Sequence, residues 1–302
     1  MEIIPSEIKK IYQEGKNISS YLKNELNIKH NNDKIIELSY DLQAGTYQNK
    51  WSKPELQELY KLFTKEISDT ILSTLSPNSI MEAGVGEATT LCGVLDNLPK
   101  DVKSYGFDIS YSRLSYAKKW LEKQDFKNIN ICTGNLLDIP FLDNSIDVVY
   151  TFHSIEPNGG NEESILKELY RVTKKYLILF EPDYNGTNEK NRARMDSLGY
   201  CKDLKKIALK LGYNIVLEKK FINNLNENNP TNIIIIKKDT SIRTEENQNI
   251  YACPKYKTPL KLYKNQAYYS EKSLLMYPII DNIPCLRIEN GILSSKLFDN
   301  KP

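Results

Sequence analysis

Several residue types that mark particular protein classes are scarce in this sequence. Its 302 residues include five cysteines, none of them in a CxxC pair, and only two histidines. Scattered cysteines of this kind are typical of reduced thiols in a cytosolic protein. No apolar run reaches the 18 residues that a membrane-spanning helix needs, and the first residues lack the apolar core of a signal peptide. We therefore expect a cytoplasmic protein without a membrane span.

A strong charge of one sign is also missing. The 41 Lys and Arg residues nearly balance the 39 Asp and Glu residues, which leaves a formal net charge of +2. This balance gives no reason to expect nucleic acid or an anionic membrane as a partner. Hydrophobic residues make up 40% of the chain, which is typical of a globular protein with one large domain or two smaller ones.

What the sequence does contain divides it into three segments. Residues 1–78 show apolar residues at helical spacing and are predicted to form a helical cap, with a loop over 39–51. Residues 79–238 form the predicted core. The stretch 237–249 is polar and linker-like, and residues 250–302 have short strand and turn patterns without helices. We predict a small, separate β-rich module there.

The core segment alternates short apolar runs with helical patterns. Such alternation predicts an α/β fold with a mostly parallel sheet covered by helices on both faces. The last two strands lack a helix between them, so we expect them to pair as an antiparallel hairpin at one end of the sheet. The predicted strands cover 79–84, 103–108, 128–134, 146–152, 175–181, 213–221 and 231–238, and the predicted helices cover 87–98, 111–124, 161–174 and 195–212.

A glycine-containing loop follows the first predicted strand. Glu82, Gly84 and Gly86 lie where that strand ends and a helix begins, the position at which open α/β sheets bind ligands. The dinucleotide fingerprint would need a glycine at Thr89, and the lysine of a phosphate-binding loop is absent. By itself the loop is equally compatible with a plain tight turn.

Three further features indicate a ligand with an amino group, a ribose and an adenine but no phosphates. Glu82 would repel a pyrophosphate and attract an amino group. Asp108, at the end of the second strand, can accept both ribose hydroxyls. After the third strand, Leu136 can cover an adenine while Asn135 bonds its edge. The ligand that combines these groups is S-adenosylmethionine.

The stretch 79–182 resembles the class I S-adenosylmethionine-dependent methyltransferases, near the ubiquinone-type small-molecule branch. The matching features are ExGxG from Glu82, the acid at Asp108, and GNLLDIPFLDNSIDVV, in which Asn135 replaces the usual acid. The resemblance implies a Rossmann-like seven-stranded sheet with an antiparallel last strand, and S-adenosylmethionine as the cofactor. The cofactor-binding residues that it implies are Tyr40, Tyr47, Glu82, Gly84, Gly86, Asp108, Ile109, Asn135, Leu136, Thr151 and His153. For the two tyrosines, ordinary packing within the helical cap is the alternative.

Acceptor chemistry is expected where the fourth and fifth strands end. His153 is the first titratable group after the fourth strand and is a candidate general base, with packing against the cofactor as the alternative. Glu156 and Glu181 are the other candidate catalytic residues. Arginines that point inward there would suit an anionic substrate, whereas a solvated helix face is the alternative. The candidate substrate-binding residues are Glu181, Tyr184, Arg192 and Arg194.

The C-terminal segment resembles zinc-ribbon-like modules that occur beside or bound to methyltransferases. It contains YACPKYKTPL and YPIIDNIPCL, but Tyr256 replaces the second cysteine of the metal-binding knuckle. Only Cys253 and Cys285 remain and the segment has no histidine, so the four ligands of a structural zinc site are missing. We predict a module without metal, held together by packing of Tyr251, Leu260, Leu262, Tyr269, Tyr277 and Ile280.

Together these features predict an S-adenosylmethionine-dependent methyltransferase that acts on an oxygen or nitrogen of a small molecule, with a sugar or surface-glycan precursor as the favoured acceptor. One alternative is an RNA or protein methyltransferase that recognises its substrate with the C-terminal module. A basic groove between that module and the core would favour it. The other alternative is a regulatory protein that binds the cofactor without catalysis.

Overall fold

The computed structural model describes residues 3–239 and 249–297. Its N-terminal part is helical, as predicted, and has an apolar cluster of its own around Leu22 and Ile35, both fully buried. A single 3₁₀ turn at Pro54–Leu56 precedes its longest helix. The five helices are α1 (Pro5–Gln13), α2 (Ile18–Leu26), α3 (Asp33–Leu42), α4 (Thr46–Trp51) and α5 (Gln57–Leu72).

The predicted loop over 39–51 is wrong, because α3 and α4 occupy most of it. Only three residues separate the two helices. The Glu87 carboxylate caps α4 by accepting backbone N–H groups from Gly45 at 3.0 Å, Tyr47 at 3.3 Å and Gln48 at 2.9 Å. A helix this short is marginal without such help. Since the cap comes from a distant part of the chain, the local sequence gives no sign of it.

The core is a seven-stranded sheet with the order β3-β2-β1-β4-β5-β7-β6. Strands β1 to β5 are parallel, and β7 runs antiparallel to both of its neighbours, β5 and β6. The predicted hairpin at one end of a mostly parallel sheet is therefore confirmed. The strands are β1 (Ser79–Ala83), β2 (Lys103–Asp108), β3 (Ile129–Thr133), β4 (Ile146–Phe152), β5 (Thr173–Pro182), β6 (Asn214–Lys220) and β7 (Thr231–Lys237).

Helices cover both faces of the sheet, where two large apolar clusters form. The predicted helix over 195–212 is two helices, because α9 ends at Gly199 in the left-handed conformation (φ +74°). Glycine adopts this conformation at helix ends without the steric penalty of a side chain. The core helices are α6 (Thr89–Leu95), α7 (Tyr111–Lys123), α8 (Glu162–Val172), α9 (Glu189–Leu198) and α10 (Leu204–Lys210).

The C-terminal part is a small antiparallel sheet that packs beside β3, at the edge of the large sheet. Its buried residues Tyr251 and Tyr277 belong to the same apolar cluster as Met81 and Phe107 of the core. Of the predicted packing residues, Leu262 and Ile280 are each half exposed, since they lie on the outer face. The strands are β8 (Lys261–Tyr263), β9 (Ala267–Ser270), β10 (Leu275–Ile280), β11 (Ile283–Pro284) and β12 (Ile292–Leu293).

The zinc-ribbon resemblance remains a prediction. Within residues 3–239 and 249–297, the structure contains no group of three or more His, Cys, Asp or Glu side chains that could hold a metal ion. Most of the predicted linker, 240–248, lies outside the described residues. In the same described part of the chain, no helix is both long and apolar enough to cross a membrane.

Candidate active site

A cavity of about 490 Å³ opens at the carboxyl ends of β1, β2 and β4, beneath the N-terminal helices. Side chains from the sheet ends, from α3, α4 and α5, and from the segment after β6 form its walls. Most of the residues predicted from sequence come together there. Those that line it are Tyr40, Tyr47, Glu82, Gly84, Gly86, Asp108, Ile109, Asn135, Leu136, His153, Glu156 and Arg194.

The turn after β1 is shaped by glycine. The backbone N–H groups of Gly84 and Val85 both donate to the carbonyl oxygen of Phe107 at 2.9 Å, which ties the turn to the end of β2. Gly84 has φ +80°, and a Cβ atom there would lie 2.3 Å from the Cβ of Ser154. No other residue fits this position without moving the chain that follows β4.

Two buried acids, Glu82 and Asp108, lie beside the turn after β1, at what we call the glycine-turn end of the cavity. Glu82 accepts a hydrogen bond from the Tyr150 hydroxyl at 3.0 Å, and burial raises the pKa of Glu82 to about 8 despite that bond. Asp108 accepts backbone N–H groups from Gly86 and Ser110, each at 2.9 Å. Burial raises the Asp108 pKa as well, although Arg113 and these two N–H groups oppose the shift. Burial is thus the largest influence on both acids and favours their protonated forms.

Charged side chains hold the N-terminal helices against the start of α7, beside the glycine-turn end of the cavity. Asp41 on α3 accepts the Ser110 hydroxyl at 2.7 Å and the backbone N–H of Ser112 at 3.1 Å, so it caps the start of α7. The Arg113 Nε donates to the carbonyl oxygen of Tyr40 at 2.9 Å. The Arg113 guanidinium carbon lies 4.8 Å from the ring centres of both Tyr40 and Tyr47. These contacts place both tyrosines on the cavity, where the sequence predicted them.

Asn135 is held by the protein itself. Its Nδ2 donates to Asp33 on α3 at 2.7 Å, and its Oδ1 accepts the backbone N–H of Leu137 at 3.0 Å. Leu136 and Ile109 are partly exposed toward the cavity on either side. The predicted contact of Asn135 with an adenine stays a prediction, and its amide also joins the end of β3 to the N-terminal helices.

His153 and Glu156 form a pair directly after β4. The His153 Nδ1 lies 2.8 Å from the Glu156 Oε2, and the His153 Nε2 lies 2.8 Å from the Thr231 hydroxyl. Burial alone would lower the His153 pKa, but the neighbouring Glu156 carboxylate outweighs it and raises the pKa. Burial likewise opposes the shift at Glu156, whose pKa His153 lowers. Each member of the pair therefore favours the charged form of the other.

Glu181 lies behind this pair instead of lining the cavity. Its carboxylate accepts the backbone N–H groups of Ser154, Ile155 and Glu156 at 3.1 to 3.2 Å. Burial raises its pKa to about 7. Glu181 thus holds the turn that carries His153, and its role as an alternative base stays a prediction. Thr151, predicted to contact the cofactor, is fully buried within β4 and also lies outside the lining.

The predicted substrate residues on and near α9 separate into two groups. Arg194 lines the cavity beside Tyr200, and its Nη1 is buried without a hydrogen-bond partner among the described residues. Tyr184 instead donates to Asp196 at 3.2 Å, and Arg192 donates to a backbone carbonyl of the turn before α9. Neither Tyr184 nor Arg192 lines the cavity, because both are used in local contacts, so the proposed acceptor site does not include them.

Sequence reasoning missed several residues of this site. Arg113 and Glu87 lie close in sequence to Asp108 and Gly86. A charged side chain so near a predicted ligand-binding loop could have identified them as candidate site residues. Asn229 donates to the Glu156 Oε2 at 2.8 Å, and Tyr200 also bonds to that carboxylate. Asn229 lies just before β7 and Thr231 is its first residue, so both are far along the chain from His153. Only the antiparallel return of β7 beside β5 brings them to the pair.

Comparisons with known proteins agree with this geometry. Residues 76–247, more than half of the chain, match the family model described as a methyltransferase domain. The chain belongs to this methyltransferase family.

Relatives of the methyltransferase match it over short stretches. A demethylmenaquinone methyltransferase of Geobacillus stearothermophilus is 29% identical over 89 residues, which are 30% of this chain and 38% of that protein. The demethylmenaquinone methyltransferase of Bacillus mycoides is 26% identical over 115 residues, 38% of this chain and 48% of that one. The chain thus spans less than half the length of these relatives.

The fold is also found among solved structures. The magnesium protoporphyrin IX methyltransferase of Synechocystis, solved with bound SAH, superposes with a TM-score of 0.53 at 14% identity. The match covers 69% of this chain and all of that one. At this identity the likeness shows the shared fold.

S-adenosylmethionine is the cofactor of this methyltransferase, and the cavity fits it. Gly84 and Gly86 of the turn after β1 line the cavity, and Gly84 lets that turn pack directly against Ser154, with which a side chain at this position would collide. Glu82 and Asp108 offer two buried acids with raised pKa values, and a cationic ligand group beside them would favour their ionised forms. The Nη2 of Arg113 is buried without a hydrogen-bond partner among the described residues, and it suits a ligand carboxylate.

Proposed function

We propose that this protein transfers a methyl group from S-adenosylmethionine to an oxygen or nitrogen of a small molecule. The observation that supports this most directly is the content of one cavity. The glycine turn and the acids Glu82 and Asp108 lie at one end, and the His153–Glu156 pair lies on the same cavity after β4. Methyl transfer needs this arrangement, because donor and acceptor must meet in a space that excludes water.

The residues proposed to hold the cofactor come from both sides of the cavity. Asp108 would accept the ribose hydroxyls, Glu82 would face the amino group, and Arg113 would face the carboxylate. Tyr40 and Tyr47 would cover the methionine end, since both already pack on Arg113. When bound, the cofactor would supply a methyl group on a positively charged sulfur, and the sulfur is the leaving group when an acceptor attacks the methyl carbon in line.

His153 is proposed to take the proton of the acceptor. Its raised pKa means that it must first lose its own proton, so turnover should increase with pH through the His153 pKa, above the ordinary value of about 6.5. Glu156 would then stabilise the imidazolium that forms when the acceptor proton arrives. Thr231 and Asn229 orient the ring and the carboxylate. Glu181 holds the backbone of the turn.

The wall beside His153 favours an acceptor with an apolar ring face. Trp51 stacks on Tyr60 with ring centres 4.2 Å apart, and Phe63 meets Phe152 edge-on at 4.7 Å. The Phe152 ring also lies parallel to that of His153 at 4.7 Å. With the unpaired Arg194 Nη1 on the same cavity, this wall suits a ring that carries a hydroxyl or amino group and an anionic group. Aromatic acids and nucleotide-sugars both offer this chemistry.

The geometry does not favour the RNA or protein alternative. A substrate channel of that kind needs cations that are free to meet phosphates or acidic side chains. Three cations at the junction between the core and the C-terminal sheet already pair with acids: Lys118 with Asp281 at 2.7 Å, Lys257 with Glu168 at 2.8 Å, and Arg287 with Glu37.

The proposal is tested in two steps. First, the wild-type protein is titrated with S-adenosylhomocysteine by calorimetry, and absence of binding would overturn the assignment. Second, formation of S-adenosylhomocysteine is followed with 4-hydroxybenzoate, 4-aminobenzoate and UDP-N-acetylglucosamine as acceptors. Turnover with the benzoates alone supports an aromatic acid, and turnover with the nucleotide-sugar supports a sugar. Cofactor binding without turnover, even with added RNA and protein, would support a regulatory protein.

A further inference from the structure

The C-terminal sheet reaches the cofactor end of the cavity through one buried arginine. Arg287, which follows β11, is only 6% exposed. Its Nη1 donates to the backbone carbonyl oxygen of Ile109 at 3.1 Å and also to the carboxylate of Glu37. Ile109 lines the cavity immediately after Asp108, and Glu37 lies on α3, the helix that carries Tyr40. One guanidinium therefore joins the end of β2 to the helix that closes the cavity.

The same segment also holds the end of β3. The backbone N–H of Leu286 donates to the Thr133 hydroxyl at 2.9 Å, and Cys285 forms a parallel bridge with Thr133. The Thr133 hydroxyl in turn donates to Asn290 at 3.2 Å. Thr133 is the last residue of β3, directly before residues 134–136, which line the cavity. Residues 285–290 thus contact α3 and the ends of β2 and β3, which all carry or directly precede residues that line the cavity.

Docking of the C-terminal sheet does not by itself require a buried arginine. The sheet already shares an apolar cluster with the core through Tyr251, Cys253 and Tyr277. A second ion pair, between Lys118 and Asp281, joins the sheet to α7 at the surface. Burying a guanidinium is unfavourable unless its partners are in place. The Arg287 side chain is nonetheless buried, and besides its neighbour Glu289 its acceptors are Ile109 of the cavity wall and Glu37 on α3.

We propose that Arg287 is a positioning residue for cofactor binding, so that the C-terminal sheet acts as a clasp on the cofactor site. Through Glu37 and Ile109 it fixes the spacing between α3 and the end of β2. The clasp rests on the proposed function only in that S-adenosylhomocysteine is the ligand used to detect it. The C-terminal sheet, which follows the matched methyltransferase domain of residues 76–247, thereby gains a role in cofactor affinity.

The test is a comparison of full-length variants by calorimetry with S-adenosylhomocysteine, at a temperature where each is folded. We expect Arg287→Met to weaken binding about 5- to 30-fold, within the usual range for coupled sites. Arg287→Lys should be intermediate, because an ammonium keeps the positive charge beside Glu37 but lacks the second guanidinium nitrogen that pairs with Glu289. Glu37→Gln should weaken binding less, and the Glu37→Gln/Arg287→Met double variant should be no weaker than Arg287→Met alone.

The matched control is Lys118→Met, which removes the surface pair between the same sheet and α7. It should lower the melting temperature slightly and leave the affinity within about twofold. If Arg287→Met and Arg287→Lys lower the melting temperature but bind as the wild type does, Arg287 is merely structural and the proposal is wrong. Fully additive effects of Glu37→Gln and Arg287→Met would also contradict it.

Hydrogen–deuterium exchange of the ligand-free protein gives a readout that needs no cofactor binding. In Arg287→Lys, exchange should rise in residues 33–42, 106–112 and 133–137, and elsewhere stay as in the wild type. Unchanged exchange in these three stretches would overturn the clasp. Failure of the wild type to bind S-adenosylhomocysteine would instead count against the proposed function, so the two failures are distinguishable.

Discussion

Glu82 and Glu156 are both buried glutamates on the same cavity, yet their pKa values move in opposite directions. Glu82 has the Tyr150 hydroxyl as its partner, and burial raises its pKa to about 8. Glu156 has the His153 imidazole at 2.8 Å, and its pKa is lowered although it too is buried. The presence of a cationic partner decides the direction.

This difference separates the two ends of the cavity by their charge balance. At the end that carries His153 and Glu156, each group favours the charged form of the other, so the pair supplies its own counter-charge. At the proposed cofactor end, Glu82 has no cationic side chain as its partner. A ligand with an amino group and a sulfonium would supply the missing positive charge. On the proposed function, a ligand cation would lie beside Glu82 and a proton would move at His153.

The largest expected effect is at the proton-moving end. If His153 is the base, His153→Ala should lower turnover by about 10²- to 10⁴-fold while S-adenosylhomocysteine affinity stays nearly intact. Turnover is measured at saturating cofactor with an acceptor from the panel above. The reverse outcome, a weaker affinity with turnover preserved, would show that the ring only packs against the cofactor.

The next effect is at the cofactor end. Asp108→Ala should weaken S-adenosylhomocysteine binding by about 30- to 150-fold, which corresponds to the roughly 2–3 kcal/mol of charge-assisted hydrogen bonds to a ribose. Asp101→Ala, at an exposed aspartate just before β2, is the matched control and should bind normally. Equal affinities of both variants would remove Asp108 from the site.

A smaller effect should appear in the pH dependence of cofactor binding. Because the Glu82 pKa is about 8, the fraction of ionised Glu82 rises about tenfold between pH 7 and pH 9. Binding of the ligand amino group should therefore strengthen by up to about tenfold over that range. Glu82→Gln should flatten the profile, and the exposed Glu122→Gln should keep it. A wild-type profile that is flat would contradict this assignment of Glu82.

The same acid should affect the stability of the ligand-free protein. The folded-state pKa lies above the ordinary value of 4.5, so the folded protein binds the proton more tightly than the unfolded chain does. The contribution of Glu82 to the free energy of unfolding is fully present below about pH 4.5 and is lost as the pH rises toward 8. Glu82→Gln should thus raise the melting temperature relative to the wild type at pH 8 and have little effect at pH 4.5. Calorimetric scans at both pH values measure this difference.

The sequence predicted the cofactor end better than the acceptor end, for a physical reason. Glu82, Gly84 and Asp108 lie at or directly after strand ends, and their positions follow from the alternation of strands and helices. His153 was found in the same way, whereas Thr231 and Asn229 reach it through long-range pairing of β7. The sequence analysis missed the break within 195–212 because it depends on one residue, Gly199, in the left-handed conformation. It missed the helix at 46–51 because the cap of that helix comes from Glu87, far along the chain.

That distant cap gives the smallest expected effect and tests whether the N-terminal helices belong to the cofactor end. Glu87 accepts three backbone N–H groups at the start of α4, and a six-residue helix has little stability of its own. Glu87→Gln replaces one acceptor oxygen by an amino group that faces those donors, so about 1 kcal/mol should be lost, or roughly 2–4 °C in melting temperature. Because α4 carries Tyr47, S-adenosylhomocysteine affinity should fall a few-fold. Glu58→Gln, in the exposed first turn of α5, is the control. A loss of stability in Glu87→Gln without any loss of affinity would show that α4 closes the fold but not the cofactor site.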